Sequence, residues 1–484
     1  MDRIWKSSFF LLTIAFFDIL AVSAVDRLPT VDKAKYKTYL RKFASNRNHY
    51  KADARQNLEN ATQYVKEKFE SAGLTVSLQN FTTSVTTTGQ SVSGTNVIGI
   101  LKGQFFNTAN DEVIVLGAHL DTRGILHEGV NNDGSGLAAL ISLAEDLTGK
   151  DRCVQNHSIL FVAFDRSETF DVQQGHAVCN KSCGSTAFVS DINAVIPHGS
   201  VKTAIIMDCI SNFNLDANSQ KIYEKPIKDY FSTFFLDQGD LYLNKGSYLA
   251  VVGREDEKDL LTKYVDQFNE VKKTTYDQYR VFDFMWNFKG KPTGINLTNV
   301  ETAFEKSDTL SFWDANIKSI LLTDTCYQRD PLFSCQSSSN CDNYLTASRD
   351  DNLGFMYNTV TAAKNLTKFL VCSDSDINEC TQGTAKCSKN ATCTNTFGSY
   401  KCSCKNGYSG NGFTCDDIDE CAQGDAKCSK EAYCVNLPGS YSCNCKEGFS
   451  GDGFNCVASG TTTVAAIFCH VVMLVAVGLL EFTV

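Results

Sequence analysis

Residues 111–147 read DEVIVLGAHLDTRGILHEGVNNDGSGLAALISLAEDL. The β-branched run Val113, Ile114 and Val115 ends at Gly117, which leaves His119 and Asp121 where a buried strand opens at its carboxyl end. A turn rich in Gly, Asn and Asp follows, and from Leu137 to Leu147 the apolar residues recur at helical spacing. Strand, polar loop and helix in that order predict an α/β unit whose polar strand tip faces a ligand crevice.

The same alternation extends outward. Lys33–Ala44 and Ala52–Gly73 have helical periodicity, the second with an apolar stripe of Leu58, Tyr64, Val65 and Phe69. Leu74–Phe81, Val97–Leu101, Ser158–Phe164 (SILFVAF) and Thr203–Met207 read as strands, and Gly103 ends the second of them. Buried strands alternating with helices predict a mixed, mostly parallel sheet with helices on both faces. The charges of Arg254–Lys258 read as a solvated helix start.

The chain has 484 residues, enough for several domains and a large core, and a formal net charge of −10. That acidity argues against a nucleic-acid partner, because phosphate binding needs clustered Lys and Arg. Residues 1–24 read as a secretory signal peptide: Arg3 and Lys6, an apolar stretch through Phe9–Ala21, then Val22, Ser23 and Ala24. Val464–Val484 is apolar apart from His470 and Glu481, and small residues Ala458, Ser459 and Gly460 precede it. This tail reads first as a glycosylphosphatidylinositol signal, second as a single-pass anchor, with a secreted product as the third outcome.

Twenty-one cysteines in a secreted chain point to disulfides. Cys153, Cys179, Cys183, Cys209, Cys326, Cys335, Cys341 and Cys372 fall in the large N-terminal region, with a pairing the spacing leaves open. Cys469, in the tail, is the odd one out. Sequons at Asn60, Asn80, Asn156, Asn180, Asn296, Asn365 and Asn390 are candidate glycosylation sites of the same compartment.

His119-Leu-Asp121 with Gly129-Val-Asn-Asn-Asp-Gly-Ser-Gly136 resembles the first metal-site motifs of the M28 zinc aminopeptidases. The resemblance covers residues 34–370 and implies a zinc-exopeptidase-like fold with two zinc ions. It places the first zinc ligand at His119, an orienting acid at Asp121, the zinc bridge at Asn132, the general base at Ser167, the second zinc's ligand at Glu168 and a third ligand at Asp208. The closing histidine falls at Ser334, in TDTCYQRDPLFS, and the family's S-D-H is here Ser307-Asp-Thr. A neutral amide replaces a bridging carboxylate and a hydroxyl replaces the base, so zinc chemistry is not expected, with at most one weak site at His119 and Asp208. Asp133, beside Asn132, is a displaced bridge if the register slips by one residue. The string Ser167-Glu-Thr-Phe-Asp171 also resembles the peptidase-like domain of nicastrin, a relative known for recognition rather than proteolysis.

A tandem repeat follows at 376–415 and 417–456. Cys380, Cys387, Cys393, Cys402, Cys404 and Cys415 recur as Cys421, Cys428, Cys434, Cys443, Cys445 and Cys456. These stretches resemble the calcium-binding epidermal-growth-factor-like module, which implies pairing of first with third, second with fourth and fifth with sixth cysteine. It also implies calcium ligands at Asp376, Ile377, Glu379, Asn395, Thr396 and Ser399, and at Asp417, Ile418, Glu420, Asn436, Leu437 and Ser440. Tyr400 and Tyr441 hold the aromatic position that in such modules packs on a neighbour.

The reading reached from sequence is a cell-surface or extracellular glycoprotein whose degenerate M28 domain recognises a peptide or another extracellular protein. Two alternatives remain: an active zinc metallo-aminopeptidase with displaced ligands, and a calcium-binding protein of an extracellular matrix, such as a calcified one.

Overall fold

A computed structural model describes residues 30–49, 51–84, 91–122, 128–149, 153–168, 182–220, 244–273, 275–276, 278–303, 307–326, 329, 342–372, 379–396 and 399–459. The signal and tail segments, Asp171, Cys179, Asn180, Ser334, Cys335, Cys341, Asp376, Ile377 and Cys469 lie outside the described residues. The chain divides into two compact units, Met1–Ser375 and Asp376–Val484.

The first unit is built on β1 (Thr75–Ser84), β2 (Ser91–Leu101), β3 (Glu112–His119), β4 (Ile159–Phe164), β5 (Ser200–Met207), β6 (Tyr248–Arg254), β7 (Arg280–Trp286) and β8 (Ser319–Thr323). They form one sheet in the order β1-β2-β4-β3-β5-β8-β6-β7. The central neighbours β4, β3, β5 and β8 run parallel, as do β6 and β7, while β1 with β2, β2 with β4, and β6 with β8 are antiparallel. β3 and β4 are buried along almost their whole length, which is why their sequences are continuous apolar runs rather than alternating ones.

Side-chain alternation along β4 sends neighbouring residues to opposite faces. On one face Phe161 meets Phe69 of the helix Ala52–Ser71, ring centroids 6.0 Å apart. On the other, Phe164 meets Phe188 of the helix Cys183–Ser190 at 5.7 Å and Phe312 of the helix Thr309–Asp314 at 6.3 Å. Helices therefore cover both faces of a mixed sheet. The helix Gly134–Thr148 is buried nearly all round and starts where Asp133 accepts a hydrogen bond from Gly136 N at 2.8 Å. A Cβ on Gly136 would stand 2.2 Å from Asp133 Oδ1 and 2.4 Å from Met207 O, so glycine is needed for the helix to begin this close to the end of β5.

The solvated helix start expected at Arg254–Lys258 holds for Lys258, exposed at the first position of the helix Lys258–Lys272, and is corrected at Arg254 and Glu257. Arg254 and Glu257 are fully buried, joined Nη2 to Oε1 at 2.5 Å, and Arg254 also donates to Gly290 O and Ile317 O. Burial of a charge this deep requires a partner, and here the partner is three residues away. Two disulfides in this unit are Cys153–Cys372 and Cys209–Cys326, and Cys183 is also disulfide-bonded. Of the described sequons, Asn60 and Asn80 are exposed and Asn156, Asn296, Asn365 and Asn390 are partly buried. Thr367 of the Asn365 sequon is wholly buried and donates to Ala363 O, which closes that sequon in the folded domain.

The second unit holds two copies of one small fold, each a hairpin (Ala391–Thr396 with Ser399–Cys404, Ala432–Leu437 with Ser440–Cys445) and a shorter strand pair. Its disulfides are Cys380–Cys393, Cys387–Cys402, Cys404–Cys415, Cys421–Cys434, Cys428–Cys443 and Cys445–Cys456. These bonds supply a constraint that modules this small cannot draw from a core. Tyr400 and Tyr441 are each held within their own module. Each hydroxyl accepts from a backbone N–H of its own copy, Lys386 and Lys427, and each ring leans on Phe413 or Phe454. The junction is made instead by Tyr408, whose ring lies so close to Gly439 that a Cβ there would come within 2.6 Å of it.

Candidate functional site

The carboxyl ends of β3, β4, β5 and β8 converge, and each carries a polar tip: His119 and Asp121, then Ser167 and Glu168, then Asp208, then Asp324. His119 is buried with its backbone N–H bound to Asp133 Oδ2 at 2.9 Å and its Nδ1 2.9 Å from Asp121 O. Its Nε2 is 3.0 Å from Asn132 Oδ1, 3.6 Å from Asp208 Oδ1 and 3.9 Å from Glu168 Oε1. Asn132 donates from Nδ2 to that same Glu168 oxygen at 2.8 Å. One amide thus joins the imidazole to the carboxylate, acceptor end to one and donor end to the other. A carboxylate at the same position would face Glu168 with like charge unless cations lay between them.

Asp121 accepts from Ser167 N and Glu168 N, both at 3.0 Å, so it fixes the backbone that follows β4. Ser167, at the base position, spends its hydroxyl on Asp308, 2.8 Å from each carboxylate oxygen. Asp133 is wholly buried; its two oxygens take His119 N and Gly136 N, with Cys209 N 3.4 Å from Oδ1. His119, Asp133 and Asp208 nevertheless each offer a ligand atom within 4.8 Å of the others, which makes them a candidate centre for a single ion. Two zinc ions are a different matter. The second would draw on Glu168, already held by the Asn132 amide, and on Ser334, whose hydroxyl is a poor zinc donor.

Burial opposes charge on His119, but hydrogen bonding to Asp121 and Asp208 outweighs it and holds the imidazole pKa well above its ordinary value. Burial raises Asp133 strongly. Asp121 is also buried, yet His119 beside it holds its pKa low. Burial lifts Asp308 to about 6, Asp324 to about 7 and Asp342 to about 6. Asp324 and Asp342 are held above the unfolded carboxylate range, so their contribution to stability is fully present below that range. It is lost as pH rises through about 6 and about 7. The large domain is therefore expected to be more stable near about pH 5 than near about pH 8, by on the order of a few kcal/mol, and to melt at a correspondingly higher temperature. Asp324→Asn should flatten part of that slope.

Several residues that shape the site carried no sequence signal. Asp342 accepts from the backbone N–H of Asn131 at 2.5 Å and Asn132 at 3.1 Å, and so sets the loop that presents the amide. Arg47, fully buried, donates to Leu120 O at 2.8 Å and Gly129 O at 2.9 Å, clamping that loop to the end of β3. Asp308 and Asp324 sat inside motifs read for their neighbours.

In the second repeat, Asp417 takes Asn436 Nδ2 at 2.7 Å and Gly439 N at 2.5 Å. Glu420 opens a short helix, Glu420–Gln423, capped by Asp419. Glu420 Oε2 and Asn436 Oδ1 are shut away from solvent without a hydrogen-bond partner, and so is Glu379 Oε2 in the first repeat. Buried oxygens with no donor are what a hard cation requires, so the donor set fits calcium. The side chains of Asn395, Thr396 and Ser399 are not described.

Comparison with known proteins agrees with these two units. Residues 96–284 match the model of peptidase family M28, and 376–415 and 417–456 each match that of the calcium-binding EGF domain. The chain is 24% identical over 286 residues to the uncharacterized protein YfbL of Escherichia coli, covering 58% of this chain and 72% of that protein. It is 34% identical over 129 residues to leupeptin-inactivating enzyme 1 of Streptomyces exfoliatus, 26% of either chain. The signal peptide, CUB and EGF-like domain-containing protein 2 of Homo sapiens is 54% identical over 41 residues, 8% of this chain and 4% of that one. Among solved structures, glutaminyl cyclase of Macrostomum lignano aligns over 71% of this chain and 92% of its own at 14% identity, TM-score 0.46. A Zn-dependent exopeptidase of Parabacteroides distasonis aligns over 69% and 97% at 14% identity, TM-score 0.42. The chain carries an M28 peptidase-type domain followed by two calcium-binding EGF domains.

Proposed function

We propose that this protein is an extracellular or cell-surface glycoprotein whose M28-type domain binds a peptide or protein partner without hydrolysing it. The two EGF domains, stiffened by calcium, carry that domain. The observation behind the reading is the Asn132 amide, which satisfies His119 and Glu168 with hydrogen bonds where paired zinc ions would need a shared negative oxygen. Ser167 adds to it: a hydroxyl committed to buried Asp308 is not a base for water at neutral pH. The strand-end crevice remains, lined by the partly exposed carboxylates of Glu168 and Asp208, and suits a polar or cationic group of the partner.

A second reading rests on the clustered His119, Asp133 and Asp208: a single-zinc aminopeptidase with a displaced ligand set. The two are separated by back-substitution. Asn132→Asp, Ser167→Glu and Ser334→His combined are expected to bring chelator-sensitive release of amino acids from an aminoacyl substrate, with no turnover from the unaltered chain. Turnover by the unaltered chain that zinc restores after chelation would decide for the enzyme. Anchorage through the tail Val464–Val484 remains part of the proposal, and among the described residues no helix is long and apolar enough to cross a membrane. Release of the protein from cells by a phosphatidylinositol-specific lipase tests it.

A further inference from the structure

We propose that Cys209 and Cys326, once their disulfide is reduced, form with Asp208 a three-donor site for one thiophilic divalent cation such as zinc. Cys209 directly follows Asp208 at the end of β5, and Cys326 lies just beyond the end of β8, the parallel neighbour of β5. The disulfide between them closes a separation of 117 residues with Cα atoms 5.4 Å apart. Asp208 Oδ1 stands 3.4 Å from Cys209 Sγ, 3.7 Å from Cys326 Sγ and 3.6 Å from His119 Nε2. Disulfide sulfurs have no proton to donate, so the first two distances are not hydrogen bonds.

The two oxygen–sulfur distances have the size of ligand–ligand edges in a zinc tetrahedron, whereas His119 clusters with Asp133 and Asp208 rather than with the sulfurs. With bonds of about 2.3 Å to sulfur and about 2.0–2.2 Å to oxygen, adjacent donors lie about 3.3–3.8 Å apart. The remaining requirement is that the sulfurs separate to a similar edge, and breaking the disulfide allows that by side-chain rotation. Hydrogen bonds to Asp324 also hold the cysteines at the strand tips. Asp324 N donates to Cys209 O at 2.6 Å, and Cys326 N donates to Asp324 Oδ1 at 2.9 Å. Cys209, Thr325 and Cys326 all hold positive φ, at 55°, 74° and 47°, conformations that persist only where the surroundings enforce them.

The chemistry is complete with a dithiol as reductant. Its thiolate attacks Sγ of partly exposed Cys326, the sulfur–sulfur bond breaks, and buried Cys209 leaves as thiolate. The second thiol of the reductant then resolves the mixed disulfide, leaving two cysteine thiols and an oxidised dithiol. Cation binding releases the thiol protons, and two thiolates restore the negative charge that Asn132 does not provide. Three protein ligands leave one position of a tetrahedral ion open. The disulfide is thus the alternative state of a metal clip between β5 and β8.

The test uses the full chain, treated with dithiothreitol without air and titrated with Cd²⁺, whose thiolate complexes absorb in the ultraviolet. Other disulfides open under the same treatment, so the reference is the Cys209→Ala/Cys326→Ala chain treated identically. The unaltered chain is expected to take up about one more cadmium than the reference. Asp208→Asn, which keeps both cysteines, is expected to weaken that uptake at least about tenfold. Equal uptake by the unaltered chain and the reference would overturn the proposal. So would full uptake by Asp208→Asn, which also decides the matter should the double variant misfold. Two zinc ions in the oxidised chain would defeat the proposed function and leave this difference to be read independently.

Discussion

Replacing Asp133 by alanine is expected to lower the unfolding free energy of the large domain by about 3–5 kcal/mol, and by the same amount in chelator as in zinc. The size follows from what its carboxylate holds. It lies wholly inside the protein, with His119 N on one oxygen and Gly136 N on the other, and Cys209 N close to the second. Each backbone N–H stranded away from water costs about 1–3 kcal/mol, and the helix Gly134–Thr148 loses its cap. The independence from metal follows from the same contacts: Asp133 is an anchor for three pieces of backbone. Urea unfolding in both buffers measures it. A loss that largely disappears in chelator would make Asp133 a metal ligand and favour the single-zinc enzyme.

Calcium removal is expected to loosen the junction between the two repeats of the second unit. Without the cation, Glu420 Oε2 and Asn436 Oδ1 remain buried without partners, and Asp417 keeps its negative charge beside them. The junction then rests on Tyr408 against Gly439 and on the hydrogen bond from Ile418 N to Gly407 O at 2.9 Å. Limited proteolysis in chelator is expected to cut near Asp416–Asp417 at least about tenfold faster than in calcium. Glu420→Gln should give the chelator rate even with calcium present. An unchanged cleavage rate on chelation would mean that calcium does not brace the junction.

Much of the fold could be read from residue order because the signals were local. Buried parallel strands write themselves as unbroken apolar runs, as in Val113–Val115 and Ile159–Phe164, and polar residues just beyond them mark the crevice. The position of His119 followed from such a strand end, and the family resemblance placed Glu168 and Asp208 beyond the next strands. What stayed hidden depended on partners far away in the chain. Asp342 reaches Asn131 and Asn132 across 211 and 210 residues, and Asp308 reaches Ser167 across 141. Arg254 and Glu257 looked solvated because a charged cluster is usually a surface, and only the packing of Trp313 and Gly290 around them shows otherwise. Tyr400 and Tyr441 were misplaced for a related reason: the neighbour an aromatic ring meets is decided by the turn at Gly407 and Gly439, not by the ring's place between cysteines.

The account stands or falls on the absence of a paired-zinc centre. Metal analysis of the purified, oxidised chain after equilibration with zinc, together with an aminoacyl-substrate assay on the same sample, tests it most directly. Fewer than two tightly held zinc ions in the large domain and no chelator-sensitive hydrolysis are the predicted result. Two zinc ions per chain with turnover that chelation abolishes and zinc restores would contradict it.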